Sequence, residues 1–165
     1  MTILTPEIAV RLGIIQGRVY NFTHKTDVQN HYFIVLNSAP QACQSIHLAM
    51  FTTQKDSLKR RISTQNLHMD VYVEVNDGEC TFLPRSNESC VDCSRPLILS
   101  IDELINLIET TNDGVCDFPE IDDSLLQRIC AAVQLNKLIS PRIKGECGYG
   151  ESEVYTRDTL NHLID

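Results

Sequence analysis

An α+β fold, mainly β, is predicted for this chain: a small barrel or sandwich of strands, followed by two or three helices. Three observations carry that expectation. Val71, Val73 and Val75 alternate with Tyr72 and Glu74, the period of a strand with one buried face. Tyr32-Phe33-Ile34-Val35-Leu36 is a short apolar run between polar segments, the length of a strand rather than a helix. From Ser100 onward the apolar residues change to helical spacing, as in Leu104, Ile105, Leu107 and Ile108.

In chain order, Thr5-Pro6-Glu7 reads as a helix start, with an N-cap, a proline and an acid in the first turn, running to about Leu12 and stopped by Gly13. Ile14 to Phe22 reads as a strand bent at Gly17, and Thr23 to Asn30 as a polar loop. The strand at His31 ends in Asn37-Ser38-Ala39-Pro40. Ser45 to Phe51 is the next strand. Thr52 to Thr64 is polar and basic. After the alternating run Asp70 to Val75, Asn76-Asp77-Gly78 predicts a tight turn, with Glu79 to Leu83 as the returning strand. Ser100 and Glu103 form a capping box that opens a helix ending near Asn112-Asp113-Gly114. Asp122-Asp123-Ser124 opens a second, with Leu125, Leu126, Ile129, Val133 and Asn136 at helical spacing, closed by Ser140-Pro141. Gly145 to Gly150 reads as a loop and Thr156 to Ile164 as a last helical turn or two.

The length of 165 residues fits one domain, with the barrel over about 14–100 and a helical extension over about 101–165. A hydrophobic fraction of 42% is enough to form a core and argues against a disordered chain. No apolar run approaches the ~20 residues of a membrane span. Fourteen Lys and Arg against 22 Asp and Glu give a net charge of −8, which argues against wholesale binding of duplex DNA and leaves room for a local basic groove. Trp is absent and aromatics make up 6%, so broad stacking platforms for bases are not expected. The start carries no signal-peptide pattern, and seven cysteines is an odd count. A cytoplasmic protein with reduced thiols is the expectation.

Cys90-Val91-Asp92-Cys93 is the chain's one C-x-x-C. A four-ligand zinc site would have to recruit Cys80, His68 or Cys116. Small buried thiols, no metal and no cofactor are expected instead. His31, at the mouth of the clearest strand, is a candidate general acid or base. His24 and Lys25, in the preceding loop, are candidate phosphate contacts. Thr52 and Thr53 place two hydroxyls at a strand end, where they can donate to a phosphate or satisfy backbone groups. Lys55, Lys59, Arg60 and Arg61 put four cations within seven residues, and read as a phosphate-contacting loop.

Taken together, Gly17-Arg18-Val19-Tyr20, the strand His31 to Asn37 and the strand ending in Phe51-Thr52-Thr53 resemble the MazF/PemK-like group of toxins from toxin–antitoxin modules. The resemblance covers about residues 14–100. It implies a small SH3-like barrel with added helices, usually a homodimer. It implies metal-independent endoribonuclease cleavage of single-stranded RNA, and an antitoxin protein as partner. Thr52 or Thr53 would be the family's strand-end hydroxyl. The family's catalytic arginine stands directly before the strand that ends in Asn, and Asn30-His31 holds that place here. His31 would then be the proton donor, with Arg18 or Lys55 supplying the cation. The alternative is a non-catalytic SH3-like module that binds a protein or nucleic acid.

Overall fold

The run that begins at His31 shows no alternation because both faces of its strand are covered. In the computed structural model, which describes residues 13–24, 29–112 and 119–150, this strand is β2 (His31–Val35). It sits in an antiparallel sheet of order β1-β2-β3-β5-β4, with β1 Val19–Phe22, β3 Ser45–Thr52, β4 Tyr72–Glu74 and β5 Cys90–Ser100. Among the described residues four α-helices accompany the sheet: α1 (Lys55–Thr64), α2 (Ile101–Asn112), α3 (Asp123–Leu135) and α4 (Pro141–Glu146). The α+β class expected from the sequence is the one observed.

Two cores result. On one face Ile34, Ala49, Phe51 and Val91 pack with Leu58 and Ile62 of α1 and with Leu125, Leu126, Ile129 and Val133 of α3. On the other, Phe22, Phe33, Val35, Leu48 and Leu99 pack with Leu104 and Ile108 of α2. The Phe22 and Phe33 rings stack there with centroids 4.3 Å apart. Neighbours along β2 alternate between the cores: Phe33 and Val35 join the second, Ile34 the first. Each fully buried Leu or Ile contributes about 1.5–3 kcal/mol of transfer free energy.

Local signals explain the helix starts. The Ser100 hydroxyl accepts from Glu103 N–H at 3.1 Å, and the Glu103 carboxylate accepts from Ser100 N–H at 2.9 Å, closing the capping box. Asp122 caps α3 by accepting from Leu125 N–H at 2.8 Å. The outer edge of β1 is protected, since Val19 N–H donates to Pro119 O at 2.9 Å and Arg18 bridges to Glu120. A buried pair ties α4 to β3: His47, 1% exposed, lies with Nε2 2.7 Å from the Glu146 carboxylate.

Four expectations are corrected. The basic segment read as a loop is helical from Lys55, because Leu58 and Ile62 stand four apart and both bury. Glu79 to Leu83 is not a returning strand. Its residues form turns, and the Glu79 carboxylate is held by Arg128 of α3, while β4 finds its partner in β5 instead. The stretch before Arg95-Pro96, read from the sequence as turn-rich, is strand: Cys90 and Cys93 lie inside β5. Ser140-Pro141 opens α4 instead of closing α3, with Ser140 accepting from Ile143 N–H; α3 ends at Leu135. The helix read from Thr5 to Leu12, Lys25, Cys116 and the turn at Thr156 to Ile164 lie outside the described residues.

Candidate functional site

β2 and β3 pair with Phe33 opposite Met50 and Ile34 opposite Ala49. Continued outward by two residues, that register brings His31 level with Thr52. His31, Thr52 and Thr53 indeed line one cleft, of about 290 Å³, together with Tyr32, Leu83 and Arg85. Thr53 is exposed, whereas the Thr52 hydroxyl accepts from Gln54 N–H at 3.0 Å and so satisfies backbone as well.

Two further clefts adjoin this one through shared walls. Thr53, Gln54 and Arg85 also line a second cleft, of about 610 Å³, beside Lys55 and Arg60 at the start of α1. His31 also lines a third, of about 630 Å³, with His24, Arg61, Asp92 and Arg95 over Phe33, Met50, Leu97 and Ile98. Among the described residues, Lys55, Arg60, Arg61, Arg85 and Arg95 border one connected surface, against the carboxylates of Asp56, Glu88 and Asp92. Arg85 pairs with Glu88, and Lys55 Nζ lies 3.5 Å from Glu74. The Tyr72 hydroxyl, with Lys55 adding to it, holds the Glu74 carboxyl below its usual range.

The third cleft is shaped by an irregularity in β5. Leu48 of β3 pairs with Leu97, but Met50 pairs with Asp92, so Ala49 alone faces the four residues Cys93 to Pro96. Such a bulge bends the strand and re-aims its side chains. Pro96 has no N–H to offer the ladder, which suits it to this place. Asp92, 6% exposed, accepts from Ser94 N–H at 2.9 Å and from the Ser94 hydroxyl at 2.5 Å. Its other oxygen accepts from Arg61, which also donates to Ser94 Oγ at 3.1 Å. Asn136, fully buried after α3, donates to the carbonyls of Cys93 at 3.0 Å and Ser94 at 2.8 Å. The bulge is therefore held from three sides.

The structure thus gathers His24, His31, Thr52, Thr53, Lys55, Arg60 and Arg61 along this surface. Lys59 is elsewhere: its Nζ sits 5.0 Å above the Tyr72 ring, a cation–π contact. Arg18 is also elsewhere, level with Val35, because its carbonyl accepts from Val35 N–H at 2.9 Å. Four strand residues, roughly 13 Å, separate that level from His31. Sequence reasoning missed Arg85, Asp92, Ser94, Arg95 and Asn136. Arg95-Pro96 inside an otherwise apolar strand was a readable sign of a bulge; Arg85 stands in a turn with no distinguishing neighbours.

The thiols are of a structural kind. Cys43, Cys80, Cys90, Cys93 and Cys147 form no disulfide. Burial pushes the Cys90 thiol up to about 11 and Cys80 to about 12, so neither is a ready thiolate near neutrality. Among the described residues no group of three or more His, Cys, Asp or Glu could hold a metal ion, and no helix is long and apolar enough to cross a membrane. His68 is exposed and accepts from Asp70 N–H at 3.0 Å.

No protein-family model matches the chain, and no curated protein does. Among solved structures it is similar to an endoribonuclease in complex with its cognate antitoxin from a mycobacterial species, at 11% identity. That match covers 72% of this chain and 89% of the other, with a TM-score of 0.44.

Proposed function

We propose that this chain is an endoribonuclease that cleaves single-stranded RNA laid across the three connected clefts, without a metal ion. The observation that carries the reading is the place of His31. It stands on the ridge between two clefts, with the hydroxyls of Thr52 and Thr53 on one side and the guanidiniums of Arg61 and Arg95 on the other.

Attack of a ribose 2′-hydroxyl on the adjacent phosphate needs a base, an acid for the leaving oxygen, and donors for the charge that develops on phosphorus-bound oxygens. An imidazole can give and take a proton near neutral pH, so His31 serves as acid or base. Thr53 donates to a phosphate oxygen. Arg85 stands in the same cleft as both and supplies the positive charge that the family resemblance would give to Arg18. Lys55 and Arg60 border the path of the flanking phosphates. An antitoxin protein that covers these clefts, and a homodimer of the chain, belong to the same reading.

The test is incubation of the purified chain with a mixed RNA pool, with and without chelator. Cleavage that survives chelation, leaves 5′-hydroxyl ends and fails on 2′-O-methylated RNA supports the reading. An intact pool overturns it and favours the binding module. The charge pairs Arg61–Asp92 and Arg85–Glu88, which already partner two of the cations, are the observation on that side.

A further inference from the structure

His31, Thr53 and Arg85, which carry the proposed chemistry, share the first cleft; beyond His31 the third cleft adds Arg61, Arg95 and an apolar lining. Its apolar lining is Phe33, Met50, Pro96, Leu97 and Ile98, of which Ile98 is 50% exposed. Its polar rim consists mainly of donors. Arg95 projects from the bulge and is exposed, and Arg61 leans in from α1. Asp92, the one carboxylate among its described lining residues, already accepts from Ser94 on one oxygen and from Arg61 on the other. The bulge that aims Arg95 is fixed by Asn136 and Asp92 and so is formed before any ligand arrives.

We infer that this cleft is a base-recognition subsite, which takes one unstacked base of the bound RNA, on the far side of His31 from Thr53, and prefers guanine. An apolar lining suits a base face. A rim of donors, with its carboxylate already engaged by Ser94 and Arg61, suits an edge with two adjacent acceptor atoms, and guanine presents O6 and N7 in that arrangement. Arginine's fork matches that pair of acceptors. Adenine and cytosine each place an amino donor on the corresponding edge, against the arginines. The inference rests on the RNA reading of the same surface and adds sequence preference to it.

The experiment is equilibrium binding of fluorescent, 2′-O-methylated octamers, which cannot be cut, to the full chain and to two surface variants, Arg95→Ala and Ile98→Asp. Both positions are exposed, so the fold survives the changes. The expected result is that the wild-type chain binds a strand with a central guanine about tenfold or more tighter than one with adenine there. Arg95→Ala should abolish that preference, and Ile98→Asp should weaken both strands. On a strand with an abasic central position neither variant should bind worse than wild type. A penalty that persists on the abasic strand would assign these residues to phosphate and overturn the subsite. So would binding without base preference. RNA cleavage with no effect of either variant defeats the subsite and leaves the ribonuclease standing. No binding and no cleavage by the wild-type chain defeats both.

Discussion

The two faces of the sheet are closed to different degrees. On the face packed by α1 and α3, apolar side chains of five strands meet Leu58, Ile62, Leu125, Leu126 and Ile129, and the core is sealed. On the opposite face α2 seals one end with Leu104 and Ile108, and the sheet is then left open where Met50, Leu97 and Ile98 border the large cleft. The first face stabilises the fold, the open part of the second holds the large cleft, and the clefts of Thr53 and Arg85 lie beside the start of α1. The difference teaches that a residue's effect can be assigned by face: loss of activity on one, loss of stability on the other.

His31→Ala tests the open side and carries the largest expected effect. Cleavage of a single substrate RNA should slow by about 10²–10⁴-fold, with an unchanged melting temperature, since His31 is only partly buried at a strand end. Full activity in initial-rate measurements would remove His31 from the mechanism. Ile129→Ala tests the sealed side. It should lower stability in urea titration by about 2–5 kcal/mol, with RNA affinity of the folded protein unchanged.

Asn136→Ala should blur the division. The residue follows α3 on the sealed side, yet it supports the bulge that shapes the opposite cleft. Leaving two buried carbonyls short of a donor costs about 1–3 kcal/mol, and the octamers should bind more weakly too. If only stability falls, the bulge keeps its shape without Asn136.

The smallest effect belongs to the thiols of the sealed core. Burial raises Cys80 and Cys90 above the 9.0 of an ordinary thiol. The folded state therefore favours the protonated form, and the stability this gives is whole below pH 9. It is lost as pH rises toward about 11 for Cys90 and about 12 for Cys80. Urea midpoints should decline across that window, and less steeply in a Cys80→Ala variant than in wild type. Equal slopes would place the alkaline loss in other groups.

Signals that lie within a few residues of one another were readable. The capping box at Ser100 and Glu103, the strand at His31 and the stripe from Leu125 to Val133 are all where the sequence puts them. α1 escaped because two buried residues among four cations make a thin stripe. The Asn76-Asp77-Gly78 turn pointed to a neighbour as partner, but β4 pairs with a strand that begins at Cys90, a choice made by tertiary packing. The site divides likewise. His31 and Thr52 were legible as strand ends, and the register then joined them. Arg85, Arg95 and Asp92 reach the same surface only through the pairing of β5, which no local pattern announces. Asn136 was visible in the α3 stripe, but its two carbonyl partners were not.

The hydrogen bonds from Asn136 have a consequence for timing. They join positions 43 and 42 apart in the chain. Contacts of such separation form slowly, because the intervening loop must close first. A chain leaving the ribosome from its N-terminus exposes all five strands before α3 has emerged. Until Asn136 is free to dock, the carbonyls of Cys93 and Ser94 lack their donor and the large cleft lacks its wall. The third cleft is therefore among the last parts of the surface to mature.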